Sequence, residues 1–131
     1  QKIIDHFGGD LTGKRIAILG WAFKANTNDS RESPSIYVAE KLYKAGATLE
    51  IYDPMVSEES MFRDISLYWK GNNIINQDRI KVLIKTPYFE EIDASVVLTE
   101  WEMFKPFDFK SSKVFDGRNI IKTNEVIALG K

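Results

Sequence analysis

Apolar residues recur along the chain in short runs that predict alternating strands and helices. Residues 14–20, KRIAILG, form a β-branched run closed by glycine, which is typical of a strand buried on both faces of a parallel sheet. Residues 33–46 follow with a helical pattern, in which Ser33 can cap the helix and Pro34 can occupy its first position. Residues 47–54 then predict a second strand. This succession predicts a right-handed βαβ unit.

The alternation continues with weaker signals in the rest of the chain. Further strands are predicted at 79–85, 95–101 and 112–118, and a short helix at 87–93. Residues 57–78 mix helix formers with a Gly-Asn-Asn break, and they predict a helix followed by a surface loop. The pattern as a whole predicts an α/β fold: a doubly wound, mostly parallel, Rossmann-like sheet of five or six strands with helices on both faces.

The length of the chain indicates one domain. With 131 residues, 44% of them hydrophobic, the chain can close one core but not two ordinary ones. Residues 1–12 are expected to be a lead-in from a preceding helix of a longer parent protein, and residues 13–131 the domain itself. The opening QKIIDHF, which has no start methionine, is expected of a piece cut from a longer reading frame.

Composition narrows the classes of function. The 18 basic and 19 acidic residues give a net charge of -1, so neither nucleic acid nor a membrane surface is an expected partner. No apolar run approaches the ~20 residues that span a bilayer, and the N-terminus has no signal-peptide core, so a cytoplasmic location is expected. The chain contains no cysteine and a single histidine, His6, so we expect neither a metal site nor a catalytic residue.

Basic side chains follow two of the predicted strands. Lys24 and Arg31 lie in the loop after the first strand, and Arg118 follows the strand at 112–118. Ligands of open parallel sheets bind outside the carboxyl ends of the strands, and the N-terminus of the following helix favours phosphate. Lys24 would add a mobile point charge, and Arg31 a planar fork suited to two phosphate oxygens. The two loops therefore predict an anion site.

Each of these residues also has a purely structural interpretation. A lysine such as Lys24 in a surface loop is usually only solvated. Arg31 can pair with Asp29 or Glu32 in a surface salt bridge worth ~0 to 1 kcal/mol. Arg118 lies in a turn, where an arginine is more often structural than functional. The functional interpretation rests on convergence, since both loops should open on the same edge of the sheet.

The loop after the first strand lacks the dinucleotide-binding fingerprint. The motif G-x-G-x-x-G would need three glycines where this chain has Gly20, Ala22 and Ala25. Asp53 stands where a ribose-binding acid belongs in such a fold, but its place before Pro54 favours a turn residue. The sequence therefore predicts no NAD cradle in this loop.

Three stretches of the chain carry a set of motifs that resembles a known family. Residues 13–54 contain GWAFK, TNDSRESP and a strand ending in YDP, and residues 96–104 and 114–121 read VVLTEWEMF and VFDGRNII. These strings are similar to the C-terminal domain of the UDP-glucose/GDP-mannose dehydrogenases. The TEW piece is more similar to the UDP-glucose members than to the GDP-mannose members.

The resemblance implies a function for the parent protein. Enzymes of this family oxidise the C6 alcohol of a sugar nucleotide to a carboxylate in two NAD-dependent steps. An N-terminal Rossmann domain holds NAD, a central helical region carries the nucleophilic cysteine and forms the dimer, and the C-terminal domain closes over the nucleotide. The implied partners are a UDP-sugar, with UDP-glucose expected, the N-terminal and central domains, and a second subunit in a homodimer or larger oligomer.

The resemblance also implies roles for four residues. Phe23, Lys24 and Arg118 would contact the UDP-sugar, and Arg31 would reach across the interdomain cleft towards NAD. Because the catalytic cysteine and the glycine fingerprint are absent, the chain resembles one third of an enzyme and is not expected to catalyse alone. Two alternatives stay open: the same domain of a UDP-N-acetylhexosamine or GDP-mannose dehydrogenase, and a non-enzymatic nucleotide-binding or interaction module.

Overall fold

Six parallel strands form one sheet in the computed structural model, which describes residues 2–69, 77–122 and 126–128. The strands are β1 (Arg15–Leu19), β2 (Thr48–Tyr52), β3 (Ile80–Val82), β4 (Ala94–Val97), β5 (Lys113–Asp116) and β6 (Val126–Ala128). Their order is β3-β2-β1-β4-β5-β6, and every neighbouring pair is parallel. This is the strand order of the Rossmann fold, so the predicted α/β class is confirmed.

Helices and short 3₁₀ turns connect the strands. The elements are α1 (Lys2–His6), α2 (Pro34–Lys44), α3 (Glu58–Tyr68) and 3₁₀ turns at Gln77–Arg79, Phe89–Glu91 and Glu102–Phe104. The helix predicted at 87–93 is therefore a single 3₁₀ turn. The loop predicted after α3 falls largely on residues 70–76, outside the described residues. The strand predicted at 79–85 is shortened to β3, which lies at the edge of the sheet and, among the described residues, pairs only with β2.

The caps of α2 and α3 follow from local sequence. Ser33 adopts an extended conformation at the N-cap of α2, where its Oγ accepts the N–H of Ser35 at 3.2 Å. Pro34 occupies the first helical position, which needs no N–H donor. Ser57 caps α3 in the same way and accepts the N–H of Ser60 at 3.1 Å. Both helices therefore begin where a serine satisfies their first donors.

The core has two layers, one on each face of the sheet. On one face, alternate strand residues such as Ile16 and Ile18 pack with the helices, and on the other face Leu19 joins an aromatic cluster. The buried aromatic members of that cluster are Tyr52, Phe89, Trp101, Phe104 and Phe109. Burying each large side chain contributes ~1.5 to 3 kcal/mol, so both faces stabilise the fold. The covered faces leave the edge at which the strands end as the place for a site.

The predicted lead-in packs onto this core. Ile3 of α1 and Leu11 are buried, and the Leu11 N–H donates to the carbonyl of Ala45 at 2.9 Å. The lead-in therefore packs against the core through Ile3 and against the end of α2 through Leu11. Its assignment to a preceding helix of a longer protein stays a prediction.

Candidate functional site

The carboxyl edge of the sheet, where the strands end, is crossed by the β1–α2 loop (residues 20–33). Arg118, just beyond β5, donates from Nε to the carbonyl of Leu98 at 2.9 Å and from Nη2 to the carbonyl of Phe23 at 3.0 Å. This half-buried guanidinium therefore ties together the segments that follow β1, β4 and β5. The structure brings Phe23 and Arg118 together, with Lys24 next along the chain.

Phe23 and Lys24 present their side chains to solvent. The Phe23 ring is 51% exposed. Lys24 is exposed, and within the described ranges its ammonium takes part in no salt bridge. The backbone beneath them is fixed, because the Phe23 N–H donates to the carbonyl of Asp29 at 2.7 Å. Both side chains are available to a ligand on a loop of defined shape.

Asp53 holds the start of this loop from the end of β2. Its buried Oδ2 accepts the N–H groups of Trp21 and Ala22 at 2.7 and 2.9 Å and the indole N–H of Trp101 at 3.2 Å. Its Oδ1 accepts the N–H groups of Met55 and Val56 at 2.8 and 3.2 Å. The predicted turn role is confirmed. The carboxylate also has a role that the sequence did not indicate: it joins three segments of the carboxyl edge.

Asp64 of α3 holds both ends of the same loop. Its buried Oδ2 accepts the indole N–H of Trp21 at 3.0 Å and the hydroxyl of Ser30 at 2.6 Å. The region that contains Asp64 gave no functional signal in the sequence. Asp64 can be recognised as an anchor of the loop only from the fold, which places it against Ser30, 34 residues earlier in the chain.

Two hydroxyl groups complete the anchoring of the loop. Thr99 Oγ1 donates to the carbonyl of Ala22 at 2.9 Å, and Ser35 Oγ donates to the carbonyl of Gly20 at 2.8 Å. Both carbonyls are buried, where an acceptor left without a hydrogen bond costs ~1 to 3 kcal/mol. The loop is thus held by hydrogen bonds from several directions before any ligand arrives.

The N-terminus of α2 contributes less to an anion site than the sequence predicted. The N–H of Ser35 donates to Ser33 Oγ, and the N–H of Ile36 donates to the Ser33 carbonyl at 3.0 Å. Because Pro34 has no N–H, these donors of the first turn are already engaged in the cap. Positive charge at this edge therefore comes from side chains.

Arg31 pairs locally, as its structural interpretation predicted. Its Nε and Nη2 donate to the two carboxylate oxygens of Asp29, both at 3.1 Å. The side-chain and backbone hydrogen bonds from Arg31 hold the pKa of the Asp29 carboxyl below its ordinary value. Arg31 is nevertheless 83% exposed, and with Phe23 and Tyr68 it lines an open depression of about 340 Å³. Phe23 therefore contacts Arg118 through its carbonyl and shares this depression with Arg31.

No metal centre or membrane span is found in the part of the chain that the structure describes. Residues 2–69, 77–122 and 126–128 contain no group of three or more His, Cys, Asp or Glu side chains placed to hold a metal ion. Across those same ranges, no helix has both the length and the apolar character needed to cross a bilayer.

The fold and the positions of these side chains define a class: a Rossmann-like domain with basic residues in the loops at the carboxyl edge of a parallel sheet. Residues 17–123 match the model of the UDP-glucose/GDP-mannose dehydrogenase family, UDP binding domain. The chain belongs to this family.

Individual relatives agree with the family model. The UDP-glucose 6-dehydrogenase of Gallus gallus is 40% identical over 143 residues, covering 99% of this chain and 28% of the relative. UDP-glucose 6-dehydrogenase 1 of Arabidopsis thaliana is 35% identical, covering 99% of this chain and 31% of the relative. The structure of a UDP-glucose dehydrogenase from the hyperthermophilic archaeon Pyrobaculum islandicum superposes with a TM-score of 0.73 at 27% identity, covering 98% of this chain and 28% of that one. The chain thus spans less than a third of the length of these relatives.

Proposed function

We propose that this chain is the sugar-nucleotide-binding domain of an NAD-dependent UDP-glucose 6-dehydrogenase, which oxidises UDP-glucose to UDP-glucuronate in two steps. The names of the similar proteins support this substrate. The observation that carries the proposal is the pair of hydrogen bonds from Arg118, which joins the Phe23–Lys24 segment to the turn after β5. Residues 13–131 are the binding domain in this proposal, and residues 1–12 the lead-in.

In this proposal Lys24 and Arg118 hold the diphosphate of the UDP-sugar. A guanidinium has five N–H donors, and the bonds of Arg118 to Leu98 and Phe23 use two of them. The remaining donors can bind phosphate oxygens while the first two keep the plane of the guanidinium fixed. Lys24 adds a mobile charge, and the exposed ring of Phe23 offers an apolar face to the uridine or the sugar.

The β1–α2 loop does not fit the pyrophosphate of NAD. A dinucleotide cradle needs free backbone N–H groups after the first strand, but those of Trp21 and Ala22 both donate to Asp53. NAD, which accepts the hydride in the family, is accordingly assigned to the N-terminal domain of the parent enzyme. The exposed Arg31 is the residue of this domain that would approach it. No catalytic step is assigned to a residue of this chain.

The proposal also covers the location, domains and oligomeric state of the parent enzyme. It would be cytoplasmic, it would contain the N-terminal and central domains besides this one, and it would assemble as a homodimer or a larger oligomer. Assays of the whole enzyme with UDP-glucose, a UDP-N-acetylhexosamine and GDP-mannose identify the substrate. A higher kcat/KM for either of the last two would replace UDP-glucose as the proposed substrate.

Titration of this chain with UDP tests the site. Amide resonances of Phe23, Lys24 and Arg118 should shift on addition of UDP, and binding should weaken as salt rises, because both partners are charged. Lys24→Ala and Arg118→Ala should each weaken binding about tenfold. Lys41→Ala, which changes an exposed lysine on α2, should leave the affinity unchanged. Amide shifts on addition of UDP that are the same in the wild type and in both site variants would overturn the proposed site.

A further inference from the structure

Asp116, the last residue of β5, is buried and receives four backbone hydrogen bonds. Its Oδ1 accepts the N–H groups of Arg118 and Asn119, both at 2.8 Å. Its Oδ2 accepts the N–H groups of Ile120 and Ile121 at 2.7 and 2.8 Å. The residue is 2% exposed, so its carboxylate cannot touch a ligand in the cleft. The carboxylate is therefore the centre around which the chain turns after β5.

This turn determines the position of the Arg118 backbone. Four N–H groups converging on one carboxylate fold residues 116–121 tightly around it, and Asn119 takes a left-handed φ of 59° to let the chain turn. From this turn the Arg118 side chain reaches the carbonyls of Leu98 and Phe23. The Asp116 carboxylate thus fixes the backbone of Arg118 at the point from which its guanidinium reaches two carbonyl oxygens.

We propose that Asp116 is a positioning residue of the sugar-nucleotide site, acting through Arg118; this inference rests on the proposed function. A carboxylate suits the task because it has acceptor positions for four N–H groups and no donor of its own. An asparagine would point its own NH₂ at two of the four donors. By fixing Arg118 before the ligand arrives, Asp116 removes the entropy cost of ordering a long side chain on binding.

A double-mutant cycle separates positioning from mere support of the fold. UDP is titrated into the wild-type chain, Asp116→Asn, Arg118→Ala and the double variant, each first shown to be folded by its amide spectrum. Asp116→Asn should weaken UDP binding about tenfold, as Arg118→Ala does. The double variant should bind no more weakly than Arg118→Ala alone, because Asp116 has nothing left to position. Losses that multiply in the double variant would overturn the inference.

A second readout needs no ligand. The Nε–H proton of Arg118 should exchange slowly with water in the wild type, since it donates to the Leu98 carbonyl, and fast in Asp116→Asn. Asp108→Asn is the matched control, because the Asp108 carboxylate accepts the N–H of Lys110 at 3.0 Å in a different turn. An Nε–H that stays protected in Asp116→Asn contradicts the inference. If the wild-type chain does not bind UDP, the proposed function is overturned. The exchange rate of the Arg118 Nε–H proton still tests whether Asp116 positions Arg118.

A backbone variant covers the case in which Asp116→Asn does not fold. Asn119→Gly keeps the left-handed conformation at no steric cost, whereas Asn119→Ala disfavours it and loosens the same turn. Asn119→Ala should lower the UDP affinity and the Nε–H protection of Arg118 several-fold, and Asn119→Gly should change neither. Equal behaviour of the two variants would contradict the inference.

Discussion

The side chain of Thr99 fills the space that a Cβ atom on Gly20 would need. Gly20 closes β1 with a φ of +102°, and a Cβ built there would lie 2.7 Å from the backbone nitrogen of Thr99 and closer still to its side chain. The same Thr99 hydroxyl donates to the Ala22 carbonyl. The first turn of the β1–α2 loop is therefore packed directly against the segment that follows β4.

Gly20→Val should destabilise the domain severely. The left-handed backbone and the clash with Thr99 together predict a loss of at least about 3 kcal/mol in the free energy of unfolding. Lys24→Ala, four residues on at an exposed position, should leave the melting temperature nearly unchanged. Thermal unfolding followed by circular dichroism measures both. Equal losses in the two variants would mean that Lys24 has a structural role.

Asp53→Asn should weaken the whole carboxyl edge. An asparagine can accept only part of the five hydrogen bonds that the Asp53 carboxylate receives, and the unsatisfied buried donors should cost about 2 to 3 kcal/mol. Urea unfolding monitored by tryptophan fluorescence reports the change near Trp21 and Trp101. Glu102→Gln, which changes an exposed acid paired with Lys105, should shift stability by no more than about 0.5 kcal/mol. A midpoint that moves equally in both variants would show that Asp53 is not the anchor of these segments.

Removal of the Arg31 side chain should raise the pKa of Asp29. The hydrogen bond from that side chain is the largest cause of the lowered pKa in the folded state, followed by the Arg31 backbone N–H. A carboxyl with a depressed folded pKa stabilises the fold above its unfolded pKa, near the ordinary 3.8, and this stabilisation is lost as pH falls through the lower folded value. In Arg31→Ala, carboxyl carbon NMR should give an Asp29 pKa closer to 3.8.

Asp10 provides an internal control in the same titration. Its pKa is lowered by hydrogen bonds from Thr12 and does not depend on Arg31. A shift common to both aspartates would point to a general change in the protein. An Asp29 pKa that is unchanged in Arg31→Ala would show that the salt bridge does not persist in solution.

Arg79→Lys should destabilise the packing between α2 and β3. The Arg79 guanidinium donates to the carbonyls of Tyr43 and Ala47 and lies over the Tyr43 ring at 4.0 Å. A lysine cannot reproduce the fork or the stacking, so we expect a loss of about 1 to 2 kcal/mol in the free energy of unfolding. Arg63→Lys, on the exposed side of α3, should be close to neutral in the same urea experiment. A neutral Arg79→Lys would contradict this account of the contact.

The order of elements could be predicted from the sequence because its signals are local. Apolar runs separated by a capped helix gave β1, α2 and β2, and Ser33 and Pro34 marked the start of α2 within one residue. The weaker strands were predicted too long, and for β3 the reason is its place at the edge of the sheet, where the described residues pair it with β2 alone. β6 was not located, because three residues with one neighbouring strand leave little pattern to detect.

The candidate site, like the fold, could be predicted from the sequence only in part. The sequence shows that Lys24, Arg31 and Arg118 follow predicted strands. It also predicts that they lie at one edge of the sheet, because the carboxyl ends of parallel strands share that edge. The hydrogen bond between Arg118 and Phe23 spans 95 residues of chain, and the bond between Asp53 and Trp21 spans 32. Contacts at such separations depend on strand order, which alternation of elements does not encode. The sequence by itself determined the fold class, the family likeness and the basic residues of the edge, whereas the tertiary structure decided that the buried carboxylates of Asp53, Asp64 and Asp116 are hydrogen-bonded to the loops that carry Lys24 and Arg118.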